Sequence, residues 1–140
     1  MQERRKIMAE LIVGNGDGSL DFGDYTLDTK TKKEDFPFNG DSYKVKTFKE
    51  ITKLERNGLF VYESVPGSKV SGLVASENGV CFKVEAAEDL SITLELEENA
   101  TYNVTVGGKN TGAVSTKLGG KLNLSVEMDG TPVEIKVEKA

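Results

Sequence analysis

Leu90-Ser91-Ile92-Thr93-Leu94-Glu95-Leu96-Glu97 places an apolar side chain at every second position. That period is the repeat of a strand, whose successive side chains leave opposite faces of a sheet, so the stretch predicts one buried and one wetted face. The pattern recurs downstream. Tyr102, Val104 and Val106 alternate with Thr101, Asn103 and Thr105, and Leu122, Leu124, Val126 and Met128 alternate with Lys121, Asn123, Ser125 and Glu127. Val133, Ile135 and Val137 alternate with Glu134, Lys136 and Glu138. Gly107-Gly108, Gly119-Gly120 and Asp129-Gly130 separate these runs, and such pairs tolerate the positive φ of tight turns. Short strands at this spacing predict an all-β fold, a β-sandwich of Ig-like or jelly-roll-like kind.

Upstream the composition shifts. Eight of the ten aromatic residues fall between Phe22 and Tyr62. Strands are expected over Ala9–Val13, Ser19–Leu27, Ser42–Thr47 and Leu59–Val65. The polar stretch Asp28–Asp41 reads as a long loop anchored by Phe36-Pro37-Phe38. Within Thr47–Gly58, Thr47 and Glu50 have the spacing of a capping box, and Phe48, Ile51 and Leu54 recur every three residues. Gly58 sits where a helix commonly ends. These signals predict one short helix near residues 48–56, in preference to a hairpin turning on Asn57-Gly58. Pro66-Gly67 marks the expected break between an aromatic-rich β module (8–66) and a β-sandwich module (67–140) that share one core. Residues 1–7 are expected to lie outside the fold, as a disordered leader or a start assigned upstream of Met8.

Composition excludes whole classes of chemistry. The 140 residues contain no His, no Trp, one Cys and three Arg. Imidazole-dependent nucleophilic catalysis and zinc sites built on His have no donors here. A formal charge of −5 without a basic stripe argues against nucleic-acid binding, which requires clustered Lys and Arg. No apolar run reaches the roughly 18 residues of a membrane-spanning helix, so no membrane partner is expected. The basic N-terminus lacks a following apolar segment of signal-peptide type; the expected location is cytoplasmic, with release in a phage-like or surface assembly as the alternative. A lone Cys81 allows no internal disulfide.

Asn15-Gly16-Asp17-Gly18-Ser19-Leu20-Asp21 is the one metal candidate. Asn15, Asp17, Ser19 and Asp21 place oxygens at alternate positions, as calcium loops do. The first ligand position is Val13, however, and the last is Asp24 rather than Glu. A hairpin turn is the stronger reading, and no cofactor is expected. Glu85, Glu95, Glu97 and Glu98 are candidates for a glycosidase carboxylate pair. Among 23 acidic residues they are more simply a solvated strand face. Tyr25, Tyr43 and Tyr62 are candidates for a sugar-stacking platform, although aromatics in strands usually serve cores or interfaces. Cys81 is out of phase with Val80, Phe82 and Val84 and is expected on the face of Lys83 and Glu85.

Tyr43–Gly67 (YKVKTFKEITKLERNGLFVYESVPG), Asp17–Gly23 and the Tyr102–Val126 pattern with Gly119-Gly120 resemble a family of short bacterial proteins commonly labelled endosialidase. The resemblance implies a glycosidase. Clamping a sialic carboxylate calls for several planar, bidentate guanidinium groups, and Arg56 is the single arginine after Met8. No catalytic residue therefore carries over. The expected function is a non-enzymatic, self-associating structural or assembly protein, with a carbohydrate-binding module or small glycosidase as the alternative. Phe36, Phe38, Phe48, Phe60 and Tyr62 are the expected interface residues of a homo-oligomer, since aromatics in surplus of a small core are typical of interface centres.

Overall fold

The computed structural model describes residues 10–140; the expected leader over 1–7 lies outside the described residues. Thirteen strands are described, β1 (Ile12–Gly14), β2 (Leu20–Phe22), β3 (Thr31–Phe38), β4 (Asp41–Phe48), β5 (Ile51–Arg56), β6 (Leu59–Val65), β7 (Lys69–Ser76), β8 (Gly79–Glu85), β9 (Leu90–Glu95), β10 (Thr101–Val106), β11 (Lys109–Ser115), β12 (Lys121–Val126) and β13 (Val133–Lys139). They form two antiparallel sheets packed face to face, one ordered β1-β2-β7-β8-β13-β10-β11 and the other β12-β9-β6-β5-β4-β3. The expected all-β sandwich is the observed architecture. Strands from both sides of Pro66 enter both sheets, and their inward rows merge in a single core.

The alternations that predicted strands are the rows that face inward. Leu90, Ile92 and Leu94 from β9 meet Leu122, Leu124 and Val126 from β12 within one sheet, and Val80, Phe82 and Val84 line the other from β8. At the centre, Tyr62 of β6 joins the sheets. Its ring meets Phe22 edge-on at 5.2 Å and Phe82 at 5.7 Å, the geometry the aromatic quadrupole favours.

The short helix is replaced by sheet. Among the described residues there is no helix, and residues 47–58 form the end of β4, a turn at Lys49-Glu50, β5, and a turn at Asn57-Gly58. The inward row of β5 is Thr52 and Leu54, so a polar residue occupies a core slot and hides the period of two. Thr52 is tolerated there because it is fully hydrogen-bonded. Its hydroxyl meets Thr47 Oγ1 at 2.7 Å, donates to the Ser68 carbonyl at 3.0 Å and accepts from the Ser68 amide at 3.0 Å. Thr47 thus serves a buried network instead of capping a helix, and it accepts the Asp24 amide proton at 2.9 Å. The network continues through Ser68 Oγ to Tyr62 (2.8 Å) and Ser64 (2.6 Å). Thr47, Thr52, Ser64 and Ser68 are all buried, and satisfied buried polar groups of this kind fix strand register without an unpaired donor. Asn57 (φ 53°) and Gly58 (φ 80°) make the β5–β6 turn, the left-handed pair that two-residue hairpins favour.

One other expectation is corrected. The expected Asp28–Asp41 loop contains β3, an edge strand whose residues are exposed except for half-buried Phe36 and Phe38. Its core-side row runs Thr31, Lys33, Phe36, Phe38, because the bulge between Lys33 and Phe36 shifts it by one residue and erases the period of two. The same holds for β11, all exposed but Val114. At one side of the sandwich the β1 edge meets the β3 edge, where the Phe38 ring lies against Gly14. At the opposite side the seven-stranded sheet ends on β11, whose Val114 packs partly against the core.

Candidate functional site

The interior rows end at one pole of the sandwich in a cleft of about 530 Å³. It opens between the β5–β6 turn and the β7–β8 turn. Leu73, Val80, Leu94 and Tyr102, all core residues, form its floor, and Arg56, Leu59, Glu77, Glu95 and Glu97 stand around its mouth. Arg56 reaches this position because the inward row Thr52, Leu54 runs on by one more step of two. Sequence reasoning missed the cleft, although that continuation of the row into the only arginine of the described residues was the available signal.

The mouth is ionic. Lys121 Nζ lies 3.5 Å from Glu95 and 3.8 Å from the Phe60 ring centroid. Lys139 pairs with Glu97, and that hydrogen bond holds the Lys139 ammonium above its usual range. The Glu97 amide donates to Tyr102 Oη at 3.2 Å. A second groove, of about 590 Å³, lies at the opposite pole between Tyr25, Val65, Pro66 and Glu88.

The calcium-like residues converge on one another. Asn15 Nδ2 donates to Ser19 Oγ and to Asp21 Oδ1, each at 3.0 Å. Asp17 Oδ1 accepts from Ser19 Oγ at 2.6 Å and from the Ser19 amide at 3.0 Å, and the hydroxyl bond in first place lowers the Asp17 pKa. Asp21 Oδ1 also accepts the Gly72 amide proton at 2.8 Å. These oxygens are engaged in closing the β1–β2 turn, and no His/Cys/Asp/Glu cluster of metal-binding size occurs among the described residues.

The interface candidates divide. Tyr62 is a correction: it is 0% exposed, its ring locked between Phe22 and Phe82 and its hydroxyl bonded to Ser68, because the inward row of β6 runs through it. Desolvation raises its hydroxyl pKa to about 12, against which the Ser68 and Ser64 hydrogen bonds act weakly. Phe36 and Phe38 pack part of their rings on the core. Phe48 and Phe60 are half-buried, with Lys30 Nζ at 5.9 Å from one ring and Lys53 Nζ at 5.8 Å from the other. Among the sugar-platform candidates Tyr43 is buried as well, which leaves Tyr25 in the second groove. Glu95 and Glu97 reach the cleft, Glu98 accepts the Gly119 amide proton at 2.6 Å, and Glu85 stands opposite Lys69 at the far end of β8. Cys81 is half-covered. Burial, and secondarily Glu134, pushes its thiol pKa up, so it is a poor nucleophile. No protein family model, curated protein or solved structure matches this sequence.

Proposed function

We propose that this chain is a non-enzymatic structural protein that associates with copies of itself by extending its seven-stranded sheet through β11. The observation that carries this reading is the contrast between two sheet edges. A free edge presents unpaired N–H and C=O groups, and proteins that stay monomeric blunt it with charge, proline or a bulge. β3 has all three: Lys32 and Lys33, Pro37, and a bulge with Asp35 at φ 53°. β11 has neither charge nor proline from Asn110 to Ser115, and its bulge, at Thr111 with Gly112 at φ 111°, lies towards the β10–β11 turn and leaves Ala113–Ser115 regular. Its residues are exposed apart from Val114, which packs partly on the core. Two β11 strands paired antiparallel about a two-fold axis would make one sheet running through both protomers. The non-enzymatic half of the reading draws support from the missing imidazole and from the pairing of Glu95 and Glu97 with lysines.

Analytical ultracentrifugation tests the proposal. The expected result is a mass above 15.2 kDa at micromolar concentration that Ala113→Lys lowers, since Ala113 is exposed on β11 and its replacement sets like charges across the axis. A wild-type monomer overturns the proposal. A glycan-binding role is the second reading, favoured by half-exposed Tyr25 beside Pro66 in the second groove. It predicts chemical-shift changes on titration with oligosaccharides that Tyr25→Ala abolishes; a flat titration removes it.

A further inference from the structure

We infer that a second self-association surface lies at the cleft pole, where Leu118 of one copy seats in the cleft beneath Arg56 and Glu77 of another, and the reverse. The inference rests on the self-association proposed above and adds a contact independent of β11.

Leu118 is the most exposed large apolar side chain of the described residues, at 83%, followed by Leu59 at the cleft mouth at 68%. Its loop is fixed in place. The Gly120 amide donates to the Lys117 carbonyl at 3.1 Å, the Leu96 amide to the Gly120 carbonyl at 2.8 Å, and the Gly119 amide to Glu98 Oε2 at 2.6 Å. A side chain at Gly120, where φ is 70°, would strike the Leu96 carbonyl, so the loop holds close to the end of β9. An ordered loop that presents a leucine to water leaves apolar area uncovered, and ordering costs less on binding when it is already complete.

Charge specifies what covers it. Lys117 and Glu98 flank the leucine, and Glu77 and Arg56 flank the cleft, so each positive group on one feature has a negative counterpart on the other. Arg56, Glu77 and Lys117 make no ion pair among the described residues. Complementary charges around an apolar anchor fix partner and orientation. Leucine loop and cleft share the segment Leu96–Glu98 and hence one pole. In the proposed contact one two-fold axis seats each leucine in the other copy's cleft, which closes the pair.

Two interfaces make distinct predictions in sedimentation velocity. The wild type is expected to exceed a dimer, Ala113→Lys and Leu118→Asp each to stop at a dimer, and the double variant to be a monomer. Truncating or charging a central apolar anchor weakens a contact by about 30-fold or more. In the Ala113→Lys background, Lys117→Glu is expected to dissociate the dimer and Lys117→Glu with Glu77→Lys to restore it. Both sites are exposed, and unchanged circular-dichroism melts confirm that the variants fold. If Leu118→Asp leaves the wild-type mass unchanged and Ala113→Lys yields monomer, this inference fails and the β11 proposal stands. If Ala113→Lys changes nothing and Leu118→Asp yields monomer, the β11 edge fails and the cleft contact stands. A wild-type monomer ends both.

Discussion

Replacing Tyr62 by phenylalanine removes one hydroxyl and leaves the ring between Phe22 and Phe82. At neutral pH the variant loses the 2.8 Å bond to Ser68 Oγ, which keeps its bond to Ser64. A net hydrogen bond of this kind contributes about 1 kcal/mol. Alkaline pH reverses the order. The folded hydroxyl ionises near pH 12 against 10.0 for the unperturbed group, so folding favours the neutral phenol. Its contribution is complete below about pH 10 and is lost as pH rises towards 12, at roughly 1.4 kcal/mol per unit and about 2.7 kcal/mol in all. The Tyr62→Phe variant has no such loss. The wild type should therefore lead by about 1 kcal/mol at pH 7, meet the variant between about pH 10 and 11, and trail it by about 1 kcal/mol near pH 11.5. Urea denaturation followed by circular dichroism resolves these differences, since 1 kcal/mol displaces the midpoint by about 0.5 M for a typical slope. All other titrating groups are common to both proteins and cancel in the comparison. A constant difference between pH 7 and 11.5 would mean that the hydroxyl ionises as if in water, and its burial in the core would be refuted.

Gly79→Ala should cost about 3 kcal/mol or more, because at φ 139° its methyl would enter the Val137 carbonyl and split β8 from β13; Gly108→Ala, at φ 83° in open space, should cost about 1 kcal/mol, and thermal melts compare the two. Calcium at millimolar concentration should leave the melting temperature unchanged, since Asp17 and Asp21 already accept hydrogen bonds within the β1–β2 turn; a rise of several degrees would indicate binding to the native state. Iodoacetamide should alkylate Cys81 more slowly than free cysteine at pH 8, and Glu134→Gln should accelerate it by removing a charge that raises the thiol pKa; a rate equal to free cysteine would contradict the covered geometry.

Strands with one wet and one dry face were legible in the sequence. Leu90–Leu94, Tyr102–Val106, Leu122–Val126 and Val133–Val137 lie where their alternation put them. What the sequence concealed has two physical origins. A hydrogen-bonded Thr52 in a core slot erased the period of β5 and let the capping pattern at Thr47 suggest a helix. Edge strands β3 and β11, mostly exposed and each interrupted by a bulge, carry no hydrophobic period to read. Beyond Arg56 the cleft was illegible because Arg56 ends β5 while Glu77 and Glu97 lie in two separate connections, and only the pairing of distant strands brings them to one pole. The metal-like loop was legible as a turn, because its own amide and hydroxyl groups use the oxygens.

The last strand in sequence, β13, lies in the middle of its sheet, between β8 and β10. During synthesis, the ribosome must therefore expose residue 139 before the two parts of that sheet, β1-β2-β7-β8 and β10-β11, can be joined. Until then the nascent chain carries two raw inner borders of high β propensity, each able to capture a neighbour on the same polysome. Distant closures of this kind are slow and open to mispairing, so yield in a cell should depend on how long those two borders stay open before β13 arrives, more than on the stability of the finished molecule.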